Sequence, residues 1–256
     1  ATVPMAPHEL PWALPRGTTI GRFLLAGQLG AGGMGVVYAA YDPDLDRKIA
    51  IKLLHSNVVA SGPDTLGHSR LLREAQAMAK ISHPNVLQVY EVGTHAGQVF
   101  LALEFIEGST LEAWLLAAPR DWRAIVEIFV QAGRGLQAAH EAGVVHRDFK
   151  PENVLVDGHG RARVMDFGLA RATGTAIPVP KDIPISGTHS SLSIDLTATG
   201  AVMGTPLYMA PEQHLGGATD ARTDEFAFCV ALHEALFKQR PFAGDDLRSL
   251  ATNVLR

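Results

Sequence analysis

The chain has 256 residues, 47% of them hydrophobic, and a formal net charge of -4 from 22 Lys+Arg and 26 Asp+Glu. That length and apolar content suffice to bury a large core, while the balanced charge argues against nucleic acid as a partner. The single cysteine, Cys229, excludes an internal disulfide; it stands in the apolar run 226–232, which predicts a buried and inert thiol.

Residues 1–17 are rich in proline and small side chains and show no sustained period, so a flexible tail is expected over 1–19. They lack the basic-then-apolar order of a secretion signal, and no stretch approaches a membrane span, so the default setting is cytoplasmic. Strand formers dominate from 19 to 54. Within them, Gly30-Ala31-Gly32-Gly33-Met34-Gly35 places glycines at the first, third and sixth positions, a spacing that dinucleotide-binding folds share. In such a fold a helix opens after the last glycine and holds a pyrophosphate. Here Val36, Val37 and Tyr38 follow, which favour a strand, and Asp42-Pro43-Asp44 then makes a turn. The glycines therefore cap a hairpin between 23–29 and 36–41, where missing side chains let backbone amides lie close over phosphates. A dinucleotide-dependent oxidoreductase is disfavoured on the same ground.

Ile49-Ala50-Ile51-Lys52-Leu53-Leu54 is an apolar run with one lysine inside it. A buried ammonium is costly to desolvate unless an anion meets it. A nucleotide's phosphates and a carboxylate on a following helix fill that role, and Glu74 is the best carboxylate. It stands in a helix predicted over 69–81, beside the apolar stripe of Leu71, Leu72, Ala75, Met78 and Ala79. His83-Pro84-Asn85 stops that helix. Strands are predicted over 86–91 and 99–105, then a helix over 125–142 ended by Gly143.

His146-Arg147-Asp148-Phe149-Lys150-Pro151-Glu152-Asn153 and, after a short interval, Asp166-Phe167-Gly168 are the most informative segments. The first offers a base, a cation and an amide oxygen at fixed spacing; the second offers a carboxylate for a metal ion. Together they describe phosphoryl transfer from a metal-bound nucleotide. Gly204-Thr205-Pro206-Leu207-Tyr208-Met209-Ala210-Pro211-Glu212 follows, after a stretch over 176–193 rich in Pro, Ser, Thr and Gly that predicts mobility.

With these motifs in order, the chain from about Phe23 onward resembles the eukaryotic-type (Hanks-type) serine/threonine protein kinases, most closely their bacterial branch. The resemblance implies an α+β, two-lobed fold: a small antiparallel-sheet lobe over 20–103, a hinge over 104–106 and a mostly helical lobe over 107–256. It implies ATP and Mg2+ as cofactors, with Gly30, Gly32 and Gly35 over the phosphates and Lys52 paired with Glu74. Glu104 and Ile106 would present backbone groups to the adenine edge, with Leu103 guarding the space behind. Val37, Ala50 and Leu155 would sandwich the ring. Asp148 would take the proton of the acceptor hydroxyl, Lys150 would offset charge on the phosphoryl group, and Asn153 with Asp166 would hold magnesium. His146 and Phe167 would stack with Met78 and Val89 in an apolar column, and Asp224 would anchor the backbone near His146.

Lys150 and Thr205 are what serine/threonine-directed members carry, so protein substrates with Ser or Thr acceptors are implied. Arg147 would belong to a basic pocket filled by a phosphate on the activation segment, with Thr199 the first choice of site and Thr197 the second. Autophosphorylation through a kinase-domain dimer is compatible with this. Two departures stand out. The segment 166–212 is longer than usual, and the chain stops at Arg256, before the helices that normally supply an arginine to pair with Glu212. The C-terminal lobe is therefore expected to be truncated, leaving the Glu212 carboxylate unpaired, and a membrane anchor could lie beyond Arg256 in the parent protein. A non-catalytic kinase-like scaffold is the competing reading; intact Lys52, Asp148 and Asp166 count against it.

Overall fold

The computed structural model describes residues 14–55, 66–167, 206–244 and 247–256, with the side chains of 66–71 and 247 left aside. The chain forms two compact units, Ala1–Lys80 with Gln88–Phe105, and Ile81–Leu87 with Ile106–Arg256. The α+β, two-lobed expectation holds.

The first unit is built on a six-stranded antiparallel sheet in the order β1-β2-β3-β4-β6-β5. Its strands are β1 (Thr19–Ile20), β2 (Phe23–Gly32), β3 (Gly35–Asp42), β4 (Arg47–Leu54), β5 (Val89–His95) and β6 (Gln98–Glu104), with helix α1 (Leu66–Ala79) between β4 and β5. Side chains on a strand alternate between faces. Val36, Tyr38, Ala40, Ile49, Ile51 and Leu53 accordingly point one way, into a core closed by Ile20, Phe23, Leu25, Phe100 and Ala102. The glycine hairpin forms as expected, Gly32 opposite Gly35.

The stretch expected to be a tail is fixed from Leu14 onward. The Leu14 N–H donates to Tyr38 Oη at 2.9 Å, its side chain packs on the core, and the Gly17 N–H donates to Leu25 O. Proline-rich composition signals a weak helix former, and it does not report whether a neighbouring sheet offers an anchor.

The second unit has a three-stranded sheet, β7 (Gly108–Thr110), β8 (Val154–Asp157) and β9 (Ala162–Val164), in sequence order. Its helices are α2 (Leu111–Ala117), α3 (Trp122–Glu141), α4 (Pro211–His214), α5 (Ala221–Phe237) and α6 (Leu247–Val254). Thr110 caps α2 by accepting the Ala113 N–H, and Gly143, at φ +76°, follows the end of α3. Ile125, Ile128, Phe129, Ala132, Gly135, Leu136 and Ala139 give α3 a buried stripe at helical spacing. Among the described residues no helix is long and apolar enough to cross a membrane.

Two further expectations are corrected. The strand expected over 86–91 begins at Val89, because 85–87 instead lines the edge of β9: the Val164 N–H donates to Asn85 O and the Leu87 N–H to Val164 O, both at 2.9 Å. Cys229 is exposed. The buried stripe of α5 runs through Thr223, Asp224, Ala227, Val230, Ala231 and Ala235, and the helical period leaves Cys229 on the other side of an otherwise apolar run.

The glycines of the hairpin are not equivalent. A Cβ on Gly35 would lie 2.2 Å from Leu53 O, whereas one on Gly30 or Gly32 would meet nothing within 4 Å. Gly35→Ala should therefore force β3 from β4 and lower unfolding stability by about 1–3 kcal/mol. Gly30→Ala and Gly32→Ala should stay within about 0.5 kcal/mol of the parent in urea titrations. Equal losses at all three positions would contradict this packing account.

Candidate active site

In the first unit, register decides which side chains share a face. Val37 lies opposite Lys52, Ala39 opposite Ala50, and Leu103 opposite Ala50. Directly paired residues point to the same side of a sheet. Val37, Ala50 and Lys52 therefore share the face away from the core cluster, in line with Gly30, which pairs with Val37. Lys52 is 6% exposed, and a buried ammonium on a face otherwise lined by small and aliphatic residues is suited to an anionic ligand. Glu74 is half-buried on α1, between the buried Ala75 and the exposed Arg73. At the end of β6 the Glu104 N–H is engaged by Gln88 O at 2.9 Å. Its amide is therefore already committed within the first unit.

In the second unit, the loop after α3 is built around a buried carboxylate. Asp224 of α5 accepts the His146 N–H on Oδ2 and the Arg147 N–H on Oδ1, both at 2.7 Å, and contacts His140 Nε2 at 2.7 Å. Arg147 adopts φ +65°, a left-handed geometry that a non-glycine residue keeps only when its surroundings hold it there. Gln213 of α4 adds a further restraint by donating to Arg147 O at 2.8 Å.

This fixed turn delivers Asp148. Its Oδ2 lies 3.5 Å from Lys150 Nζ, and Asn153 Nδ2 donates to Asp148 O at 2.7 Å and to Oδ2 at 3.2 Å. The Asn153 amide thereby spends its donor end on Asp148 and turns its oxygen away, free to act as a hard ligand. Asp166 follows from β9 through Met165, whose N–H donates to Asn153 O at 2.9 Å. Asp166 has φ +65°, the second strained residue of the site. Among the described residues no group of three or more His, Cys, Asp or Glu could by itself hold a metal ion. An amide oxygen and one carboxylate suit a magnesium ion that completes its shell with phosphate and water.

The sequence-derived set is thus placed as follows. Asp148, Lys150 and Asn153 come together directly, and Asp166 is tied to them through backbone. Leu155 sits half-buried on β8, opposite Thr110. Ile106 opens the longer segment of the second unit. Gly168, Thr197, Thr199 and Thr205 lie outside the described residues. Asp224 anchors the loop as the resemblance implies. Glu212, expected to be left without a partner, accepts a hydrogen bond from the buried Thr223 hydroxyl of α5. Sequence reasoning missed His140. Its signal was position alone: a polar residue in the last turn of α3, six before His146.

His146 is fully buried and in edge contact with Phe149, with its ring centroid 4.7 Å from that of Phe167. Its Nε2 faces Met165 O at 2.9 Å and its Nδ1 faces the Asp148 N–H at 3.2 Å. Only the neutral Nε2–H tautomer satisfies both: Nε2 donates to the carbonyl and the Nδ1 lone pair accepts from Asp148. Burial pushes the His146 pKa below its ordinary 6.5, against the opposing pull of Asp224. Folding then favours the unprotonated ring, so its contribution is full above pH 6.5 and declines as pH falls from there toward the depressed folded value. Urea midpoints measured from pH 7.5 to 5 should fall more steeply for the parent than for His146→Phe. Parallel slopes would refute the neutral assignment.

Comparison with known proteins agrees with this geometry. Residues 23–256 match the protein kinase domain family. The chain is 35% identical over 231 residues to the serine/threonine-protein kinase PknL of Mycobacterium tuberculosis, covering 90% of this chain and 53% of that protein. It is 35% identical over 245 residues to PknA of the same species, covering 93% and 52% respectively. It therefore spans about half the length of these curated relatives. Among solved structures, the kinase domain of M. tuberculosis PknI superposes with a TM-score of 0.68 at 25% identity, covering 92% of this chain and 81% of that one. With its fold, its catalytic loop and nearly its whole length accounted for in this way, the chain belongs to the protein kinase family, in company with bacterial serine/threonine kinases.

Proposed function

We propose that the protein transfers the γ-phosphoryl group of magnesium-bound ATP to serine or threonine hydroxyls of protein substrates, its own activation segment among them. The observation that carries this reading is the convergence of Lys150 and Asn153 on one Asp148 oxygen, beside a loop whose backbone is fixed by Asp224. The relatives' names supply the choice of serine and threonine acceptors. The cytoplasm, where nucleotide is plentiful, is the expected setting.

In the proposed reaction, Asp148 accepts the hydroxyl proton as the acceptor oxygen bonds to the γ-phosphorus. The bond from that phosphorus to the bridging oxygen breaks, and ADP leaves with the electron pair. Lys150 offsets charge on the moving phosphoryl group, and Lys52 positions the inner phosphates. Asn153 and Asp166 would hold magnesium, which when bound would supply positive charge to the phosphates.

Turnover on a generic basic protein tests the assignment. Asp148→Asn should reduce the rate by about 10²–10⁴-fold, the range set by loss of a general base. Asp166→Asn should reduce it by orders of magnitude and shift the magnesium dependence. Full activity in either variant would remove the proposal, and a parent inactive toward every protein acceptor would favour the scaffold reading.

Phosphate on the activation segment would add nearly two negative charges and strong acceptor oxygens near Arg147. Incubation with ATP and magnesium should place phosphate at Thr199 first and Thr197 second, as read by mass spectrometry. In trans transfer between two copies would appear as phosphate on Asp148→Asn when mixed with the parent. Unchanged activity after replacing both threonines with alanine would leave a kinase without this switch.

A further inference from the structure

Strand β9 is only three residues long, yet the strained Asp166 hangs from its end. One of its edges pairs with β8, Val154 opposite Val164 and Val156 opposite Ala162. The other edge is closed at Val164 by the backbone of Asn85 and Leu87, and at Ala162 by two side-chain amides. Gln131 of α3 accepts the Ala162 N–H on Oε1 at 2.9 Å and donates from Nε2 to Gly160 O at 3.0 Å. Asn85 donates from Nδ2 to Ala162 O at 2.8 Å and to Gln131 Oε1 at 3.3 Å, while its own carbonyl accepts the Val164 N–H. An amide side chain has the donor and acceptor geometry of a peptide group, so this pair finishes the strand as a neighbouring backbone would.

The helix is shaped to bring these groups close. Gly135 lies one turn after Gln131 on the same face, and a Cβ there would stand 2.3 Å from Asn85 O and 3.1 Å from Val164 Cγ2. Beyond β9, Met165 is held at both ends, its N–H by Asn153 O and its carbonyl by His146 Nε2. The described bonds at Gly160, Ala162, Val164 and Met165 thus lead the chain toward Asp166, and Gln131 makes those at Gly160 O and the Ala162 N–H.

We infer that Gln131 is a positioning residue for the Asp166 carboxylate, acting through Ala162 and Gly160 to set the register of β9. This rests on the reading of Asp166 as a metal ligand. A side chain that acts through the backbone at Gly160 and Ala162 would leave the donor set unchanged and would set how much of the time the carboxylate occupies the productive geometry.

The test uses Mn2+ as the probe, its free concentration followed by electron paramagnetic resonance in the presence of a non-hydrolysable ATP analogue. Gln131→Met removes the hydrogen bonds at nearly constant volume and should raise the Mn2+ Kd by about ten-fold. Amide hydrogen exchange over 162–167 of the nucleotide-free protein should speed up in parallel. Gln137→Met, on the same helix but exposed and bonded to Glu141, should change neither. An unchanged Kd and unchanged exchange in a folded Gln131→Met would overturn the inference. Should that variant fail to fold, Gln131→Glu keeps the acceptor for Ala162 but sets an oxygen against Gly160 O. Its Kd should lie between those outcomes, and a parental Kd would again overturn the role. Asp166→Asn separates the two readings: a parental Kd there would remove the metal-ligand assignment, whereas the exchange measurement would still report on the Gln131 contacts.

Discussion

The buried carboxylate of Asp224 is the constraint on which the catalytic loop depends. A charge removed from water is tolerated only when donors replace the lost hydration, and here two backbone amides and an imidazole do so at 2.7 Å each. The requirement acts in both directions. Asp224 needs the His146 and Arg147 amides, and those amides can meet it only if the chain turns sharply at Arg147. Removing the carboxylate would leave adjacent amides buried without acceptors and the left-handed residue without support. The Lys150 and Asp148 contact at 3.5 Å, between partly exposed groups, has no comparable structural weight. It belongs to the chemistry, while Asp224 belongs to the frame that makes the chemistry repeatable.

Strain and restraint are paired throughout the site. Arg147 and Asp166 both take φ +65°, and each is flanked by short hydrogen bonds to elements that cannot move independently. Arg147 is tied to α5 and α4; Asp166 follows a residue clasped by His146 and Asn153. His146 serves both segments at once, through its backbone to Asp224 and its ring to Met165. One residue thus ties the chain before Arg147 and the chain before Asp166 to a common point. The side chains that do chemistry sit on loops, and the helices α3 and α5 give those loops the definition of regular structure.

Much of this was legible in the sequence because phosphoryl transfer demands particular residues at particular spacings. Asp148, Lys150, Asn153 and Asp166 can be found by motif, and the apolar run from Ile49 to Leu54 already marked Lys52 as a cation in need of an anion. Polar residues on helix faces were not legible. Gln131 and His140 look like solvated positions on an amphipathic helix, and only the folded chain brings a carbonyl or a carboxylate to meet them. Cys229 shows the converse error, since an all-apolar run hides which side the helical period leaves outward. Val86 carries the signature of a strand and does pair, but with Val164 from far along the chain. Local pattern specifies that a residue wants a partner. It does not specify which partner arrives.

The segment Ile81–Leu87 belongs with the second unit, although the residues on either side of it belong with the first. The chain consequently passes between units three times rather than once. Neither unit can be excised by a single cut, and neither can be inherited alone by a single recombination event. A crossover at 105 and 106 would carry a foreign 81–87 strip to the native β9, Gln131 and Gly135, where a mismatched residue at 85 would leave the Ala162 carbonyl unserved. The two halves of this protein are therefore expected to descend as one block, with the strip and the helix that receives it changing together.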